Sequence, residues 1–417
     1  MEVKKDLRQT NEKTIPSDWA LKPIGEHIDL LTGFPFPSNQ YTKSGIKLLR
    51  GSNVKRGVID WSDDITQYWI KVTADITQYT LMEGDIVIAM DGSLVGRSFA
   101  RLTKADLPAL LLQRVARIRT NKIYAGYLKE FICSEYFTKH CDAVKTSSAI
   151  PHISSNDIRS FTIPIPPTIE EQTAIATALS NADALISSLE KLIAKKRNIK
   201  EGAMQQLLQP KEGWDFLTYG EIFTFLKTAT YSRAELSTGG SIGYVHYGDI
   251  HTKWDIIIDI SKTELPSVSE KQLKAYSILE DGDIIMADAS EDYSGIGKCV
   301  EVKNIGTNKI ISGLHTFLLR DKKGILVNGF KGYLHVSPYI KNQFDKLATG
   351  MKVYGVSKAN LKTVVVPVPP KEEQNRIASI LSEMEEEINA LEYKLDKYRK
   401  VKNGMMQQLL TGKIRLV

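Results

Sequence analysis

The 417-residue chain has little cysteine: Cys133, Cys141 and Cys299 are its three thiols, and no two of them form a CxxC pair. An odd, scattered set builds no disulfide framework and reads as reduced and unpaired. Long apolar runs are missing as well. Runs such as Leu110 to Leu112 and Ile256 to Ile258 fall far short of the roughly 18 to 20 residues of a bilayer span, so no membrane segment is expected. The stretch Met1 to Thr10 is charged from Lys4 onward, without an apolar block or small-residue cleavage site. It reads as no export signal, and the protein as cytoplasmic. Charge of one sign is not in large excess either, with 55 Lys and Arg against 49 Asp and Glu. That balance permits nucleic-acid binding without demanding it.

Catalytic signatures are equally scarce. GSLVGRS, Gly92 to Ser98, has three residues between its glycines where a phosphate loop has four, and Arg97 where that loop has Lys. Gly295-Ile296-Gly297-Lys298 runs into Cys299 in place of Ser or Thr, and no GxGxxG opens a helix. The 7 His show no HxxxH or HExxH spacing, so neither a nucleotide loop nor a metal site is expected. One pattern points the other way: Asp288 ahead of Glu301-Val302-Lys303 is an acid followed by ExK, the arrangement that holds Mg²⁺ in phosphodiesterases. ExK also occurs at Glu392 to Lys394 in a helical stretch, and the first half of the chain has no counterpart.

What the chain does have is a duplication. Residues 170 to 208 and 372 to 410 align without a gap at an offset of 202, and 19 of the 39 positions are identical, including Glu-Glu-Gln and Met-Gln-Gln-Leu-Leu. Weaker echoes run upstream: Trp19 with Trp214, Gly84-Asp85-Ile86 with Gly282-Asp283-Ile284, and Ser134-Glu135-Tyr136 with Ser337-Pro338-Tyr339. A period of that length implies tandem domains and not a solenoid.

Each shared segment opens with prolines (Pro164, Pro166, Pro167; Pro367, Pro369, Pro370) followed by a glutamate pair, as a helix start requires. Apolar residues then step by four and three: Ile175, Leu179, Ile186, Leu189 and Ile193 in the first copy, Ile377, Leu381, Ile388, Leu391 and Leu395 in the second. That is a coiled-coil stripe, and one helix cannot bury it alone. Pairing of the two helices within the chain is the expected solution, with packing against the neighbouring domain as the alternative. Gly202 and Gly404 weaken the far ends and allow a kink or break there. The remaining parts alternate short apolar runs (GDIVIAM, GDIIMAD, HTFLLR, TVVVPVP) with Gly, Asp, Asn and Ser, the signature of short strands. The expected fold is α+β: two mixed α/β domains, 1–168 and 211–370, in tandem duplication, separated by helices within 169–210 and 371–417 that pair as an antiparallel intramolecular coiled coil about a pseudo-twofold.

IPIPPTIEEQTAIATAL, VPVPPKEEQNRIASIL and the twin MQQLL endings, each after a domain that begins near PSDW or KEGW, resemble the specificity subunit of type I restriction and modification systems. The likeness covers the whole chain. It implies a non-catalytic, DNA-binding subunit whose two target recognition domains each read one half of a bipartite, asymmetric double-stranded site. It further implies that the helices act as a spacer and dock methyltransferase (modification) subunits, two per chain, which recruit restriction subunits. No cofactor is implied for this chain; S-adenosylmethionine, ATP and Mg²⁺ would serve the partners. Neither domain is strongly basic, with 22 basic and 18 acidic residues over 1–169 and 19 and 18 over 209–370. Recognition is thus expected to rest on local patches.

In the first domain the candidate DNA contacts are Arg50, Ser52, Asn53, Lys55 and Arg56 on one loop, Ser93 and Arg97 after a strand, and Ser147, Ser148 and His152 ahead of a final strand. Arg and Lys suit phosphate or guanine, and Asn suits adenine. The corresponding places in the second are Tyr247, Asp249 and Lys253, then Ser290 and Tyr293, then Lys352, Tyr354, Ser357 and Lys358. Two readings from other classes stay open: a coiled-coil scaffold or dimerisation protein without DNA specificity, and a Mg²⁺-dependent nuclease built on Asp288 and Glu301.

Overall fold

The apolar runs separated by Gly and Asp become strands, and the computed structural model describes residues 7–10, 13–273, 275–290, 295, 297–347 and 354–416. The chain divides into two compact units, Met1–Ser188 with Leu395–Val417, and Leu189–Lys394. Each is a mixed α and β body.

In the first unit, strands Asp29–Thr32, Val115–Arg119, Ile86–Ala89 and Phe99–Arg101 form an antiparallel sheet in that spatial order. A second sheet sets Ile46–Leu49 between antiparallel Gln67–Trp69 and parallel Ala109–Leu111. The second unit repeats the plan with Thr224–Leu226, Thr316–Arg320, Ile284–Ala287 and Cys299–Lys303, and adds Ile257–Asp259 in parallel at the edge. Its smaller sheet sets Ile242–Val245 between antiparallel Ser267–Val268 and parallel Lys309–Ser312.

The repeated Gly-Asp-Ile has a physical cause. Gly84 and Gly282 adopt φ of +89° and +85°, a turn conformation that disfavours any side chain. The following aspartates are buried and accept both a backbone N–H and an arginine fork: Asp85 from Met82 and Arg119, Asp283 from Glu280 and Arg320. Each clamp ties the turn to the strand beside it.

Two 39-residue helices, Ile169–Leu207 and Lys371–Leu409, carry the shared segment. Their starts are locked alike. The Gln172 side chain accepts the Tyr124 N–H at 2.8 Å and donates to the Pro166 carbonyl at 3.1 Å; Gln374 accepts the Val327 N–H at 2.8 Å and donates to the Pro369 carbonyl at 2.8 Å. The preceding glutamates hold basic residues that follow the Met-Gln-Gln-Leu-Leu endings: Glu171 accepts from Arg415, whose guanidinium lies over Trp19, and Glu373 from Lys211, which lies over Trp214.

Within the first unit Asp183 pairs with Lys402, and within the second Glu385 pairs with Lys200. Asp183 and Glu385 are aligned positions of the two copies, as are Lys200 and Lys402. The same contact is therefore made twice with the copies exchanged, which only antiparallel helices allow. Lys196–Glu387 at 2.7 Å and Arg197–Glu392 extend the pairing in the second unit.

The expected seam needs one correction. Ile175 and Leu179 belong to the first unit's main core, together with Leu409 and Leu410 from the end of the other helix. Ile377 and Leu381 belong to the second unit's core, together with Leu208. These ends of the stripe face a domain because each helix starts beside one. Leu189, Ile193, Ile388 and Leu395 are buried farther along, where the ion pairs join the helices, while Ile186 and Leu391 are half-buried. A second correction concerns Gly202 and Gly404: both helices run through them unbroken.

Candidate nucleic-acid interface

The loops singled out in the first domain converge. Residues 50–56 and 91–98 meet around an open groove of about 380 Å³ whose polar lining includes Arg50, Ser52, Lys55, Ser93 and Arg114. The third loop, 145–152, is fastened to the second: the Gly92 N–H donates to the Pro151 carbonyl at 3.0 Å, and Asp91 bridges His152. Within it, Thr146 Oγ1 accepts the His152 N–H, and Ser148 donates to the Ile150 carbonyl, which leaves Ser147, Ser148 and His152 exposed on an ordered turn.

Several side chains there do other work. Asn53 is fully buried; its oxygen accepts the Arg50 N–H at 3.1 Å and its nitrogen donates to the Asp60 carbonyl at 2.9 Å. It shapes the loop and does not reach adenine, because the amide is enclosed and both its oxygen and its nitrogen are engaged within the loop. Arg97 makes two bonds to Asp142, at 3.1 and 2.8 Å, and with Lys145 holds that carboxyl down to about 2. Arg97 thus ties the second loop to helix Glu135–Val144, which leads into the third. Arg56 reaches Glu135 at 2.6 Å. Ser52 and Lys55 are exposed, with Lys55 only 3.9 Å from Asp60, and Arg50 is half-buried, donating to the Ile65 carbonyl.

In the second unit the corresponding segments also come together. His251 donates from Nε2 to the Ala289 carbonyl at 3.1 Å, joining helix Tyr247–Thr252 to the strand end. Ala289–Ser290 pairs with Tyr354–Gly355, and the Val356 N–H donates to the Asp288 carbonyl at 3.1 Å. Asp249, expected as a base reader, is 1% exposed and gripped by Arg233 at 2.9 and 3.0 Å and by Lys253 at 3.1 Å. Burial pushes its carboxyl up, but those two cations more than offset that and hold it below the usual range. It is an anchor for the loop, since a carboxylate so enclosed offers nothing to a base. Ser290 is buried, Ser357 accepts the Asn360 N–H as a helix cap, and Lys358 lies over the Phe225 ring at 5.0 Å. Tyr247 is half-buried and Lys253 exposed. Tyr293 and Lys352 lie outside the described residues, and Tyr354 is described only as backbone.

Two basic residues outside the sequence candidates stand on the same edges: Arg114, 2.7 Å from Asp91, and His315, 3.3 Å from Asp288.

A duplicated α+β body finds its counterpart in a known family. The model described as type I restriction modification DNA specificity domain matches the chain twice, over residues 16–200 and 211–397. The chain belongs to the type I restriction modification DNA specificity family. The specificity subunit of type I restriction enzyme EcoAI from Escherichia coli is 32% identical over 197 residues, 46% of this chain and 32% of that protein. The MjaVIII specificity subunit from Methanocaldococcus jannaschii is 25% identical over 454 residues, 99% of this chain and 96% of that one. The crystal structure of the S subunit of a type I restriction-modification system from M. genitalium shares the fold, with a TM-score of 0.58 at 16% identity, covering 98% of this chain and 99% of that one.

Specificity subunits of this family are non-catalytic, catalysis lying in partner subunits. In this specificity subunit the ExK pattern has a structural occupation. Glu301 is buried and accepts the N–H groups of Gly329 at 2.6 Å and Gly332 at 2.8 Å, and burial raises its pKa. It pairs in register with Ile284, so Asp288 lies four residues away along the sheet, about 13 Å at 3.3 Å per residue, too far to share an ion. Among the described residues no helix is long and apolar enough to cross a membrane.

Proposed function

We propose that each three-loop cluster of this specificity subunit reads one half of a bipartite, asymmetric sequence in double-stranded DNA. The long helices set the spacing between the halves and dock two methyltransferase subunits, through which restriction subunits join. The observation that carries this reading is the recurrence of one loop arrangement on two scaffolds of the same plan with different side chains on offer: Arg50, Ser52, Lys55 and Ser93 in one unit, Tyr247, Lys253 and Lys358 in the other. Like scaffolds carrying unlike loops suit a reader of two unlike half-sites. The recognition domains are 1–168 and 211–370, and the helical segments 169–210 and 371–417 belong to assembly. S-adenosylmethionine, ATP and Mg²⁺ are used by the partners.

The near balance of charge in both domains makes the partners part of the grip on the duplex. The test is retention of duplex by the chain assembled with its methyltransferase. Arg50→Ala is expected to weaken retention at physiological salt while thermal unfolding stays unchanged, and unaltered affinity would remove Arg50 from the interface.

A further inference from the structure

We propose that Arg114 and His315 occupy one equivalent base-reading position in the two units, each presenting a basic side chain to the edge of a base pair in its half-site. This rests on the reading of the loop clusters as DNA-facing and assigns residues that the loops alone do not.

The two positions are the same place in the fold. Arg114 ends the three-residue connection between strands Ala109–Leu111 and Val115–Arg119, and His315 the three-residue connection between Lys309–Ser312 and Thr316–Arg320. The Arg114 carbonyl accepts the Met90 N–H at 2.9 Å, and the His315 carbonyl accepts the Asp288 N–H at 3.1 Å, so each turn is bonded to the end of its unit's central strand. That strand end leads directly into the second loop of the cluster.

Both residues hold a left-handed backbone, with φ of +68° and +56°. Among the described residues the other non-glycine with positive φ is Asn304, a residue type that tolerates it. Glycine would occupy either turn without strain. Two bulky basic side chains kept where glycine fits best, at one position in both units, mark a site where the side chain itself is required.

The side chains are presented outward. Arg114 is 66% and His315 52% exposed. Each stands beside an aspartate on the strand end: Arg114 Nη1 donates to Asp91 Oδ2 at 2.7 Å, and His315 Nδ1 lies 3.3 Å from Asp288 Oδ1. The Tyr247 ring braces His315 edge-on at 5.5 Å between centroids. Arg114 opens onto the groove shared with Arg50, Lys55 and Ser93. A guanidinium held by one nitrogen keeps its other donors free for the O6 and N7 of guanine, and the imidazole Nε2 can meet one base-edge group, as donor when it carries a proton and as acceptor when it does not. The different side chains at one position are what an asymmetric site requires.

The test compares Arg114→Gly, Arg114→Lys and His315→Gly with the parent, each as the full chain assembled with its methyltransferase, by retention of duplexes substituted one base pair at a time and by thermal unfolding. Arg114→Gly is expected to lose roughly ten- to hundredfold discrimination at one base pair of one half-site, with the other half-site untouched and the unfolding midpoint unchanged or higher. His315→Gly is expected to do the same in the opposite half-site. Arg114→Lys, which keeps the charge without the fork, is expected to keep affinity and lose discrimination. A selective parent whose glycine variants retain its discrimination overturns this assignment alone, as does discrimination lost only in step with the midpoint. A parent without sequence selectivity overturns the DNA-reading function and this inference with it.

Discussion

The two units share their framework and differ in what they mount on it. Sheet order, the Gly-Asp turn with its arginine clamp, the glutamine lock at the helix start and the reciprocal Asp183–Lys402 and Glu385–Lys200 contacts recur almost atom for atom. What the loops are built from does not recur: a turn with Arg50 and Arg56 around buried Asn53 stands in one unit, a short helix around buried Asp249 in the other. The lesson is that the repeated residues hold the framework together, while the divergent ones build the loops, some exposed like Ser52 and Lys55 and some buried like Asn53 and Asp249.

The sharpest way to break this comparison is at the helices. Inserting four residues after Ala194 moves the following part of the helix by about 6 Å and turns it by about 40°, which separates Lys196 and Lys200 from Glu387 and Glu385. The expected outcome is a changed spacer in the methylated site or loss of assembly, read by mapping modified bases; methylation of the original site at full efficiency contradicts the spacer role.

Next in size are the clamps. Asp85→Ala takes the carboxylate partner from partly buried Arg119 and is expected to destabilise by about 3–5 kcal/mol, whereas Asp283→Ala leaves Arg320 paired with Glu280 and is expected to cost less. Chemical denaturation of the two variants checks that order; equal losses would show that Glu280 does not share the clamp.

A third prediction separates the units. His335 sits in the second unit's core where the aligned residue of the first is Ile132. Burial pushes the His335 pKa down to about 4, so between that value and the ordinary one near 6.5 the unfolded chain binds the extra proton. Stability should therefore fall as pH drops through that window, by up to on the order of 3 kcal/mol. His335→Leu is expected to flatten that slope, and an unchanged pH profile of unfolding would show that the imidazole is not the cause.

The smallest effect concerns Gly202 and Gly404, where an added Cβ meets nothing within 4 Å. Alanine at either is expected to raise stability by about 0.5–1 kcal/mol, equally in the two copies.

Much of the framework was legible before any coordinates. The constant offset of 202 and the three-four spacing of Ile175 to Ile193 announce twin helices because periodicity is a local property. Strand order was not legible, since Ile284–Ala287 lies between Thr316–Arg320 and Cys299–Lys303 through pairings that no short pattern encodes. The candidate loops were found by their Gly, Ser and basic content, yet Asn53 and Asp249 were misassigned because a polar residue on a loop gives no sign of being buried and satisfied. Arg114 and His315 were missed for the opposite reason: a left-handed backbone announces itself when glycine fills it, and not when arginine or histidine does.

The most direct measurement is single-molecule sequencing of the bases methylated by the complex that contains this chain. Two short, unlike half-sites at a fixed separation are the predicted result. A single uninterrupted motif, or two identical halves, would contradict the account of two divergent readers on one repeated framework.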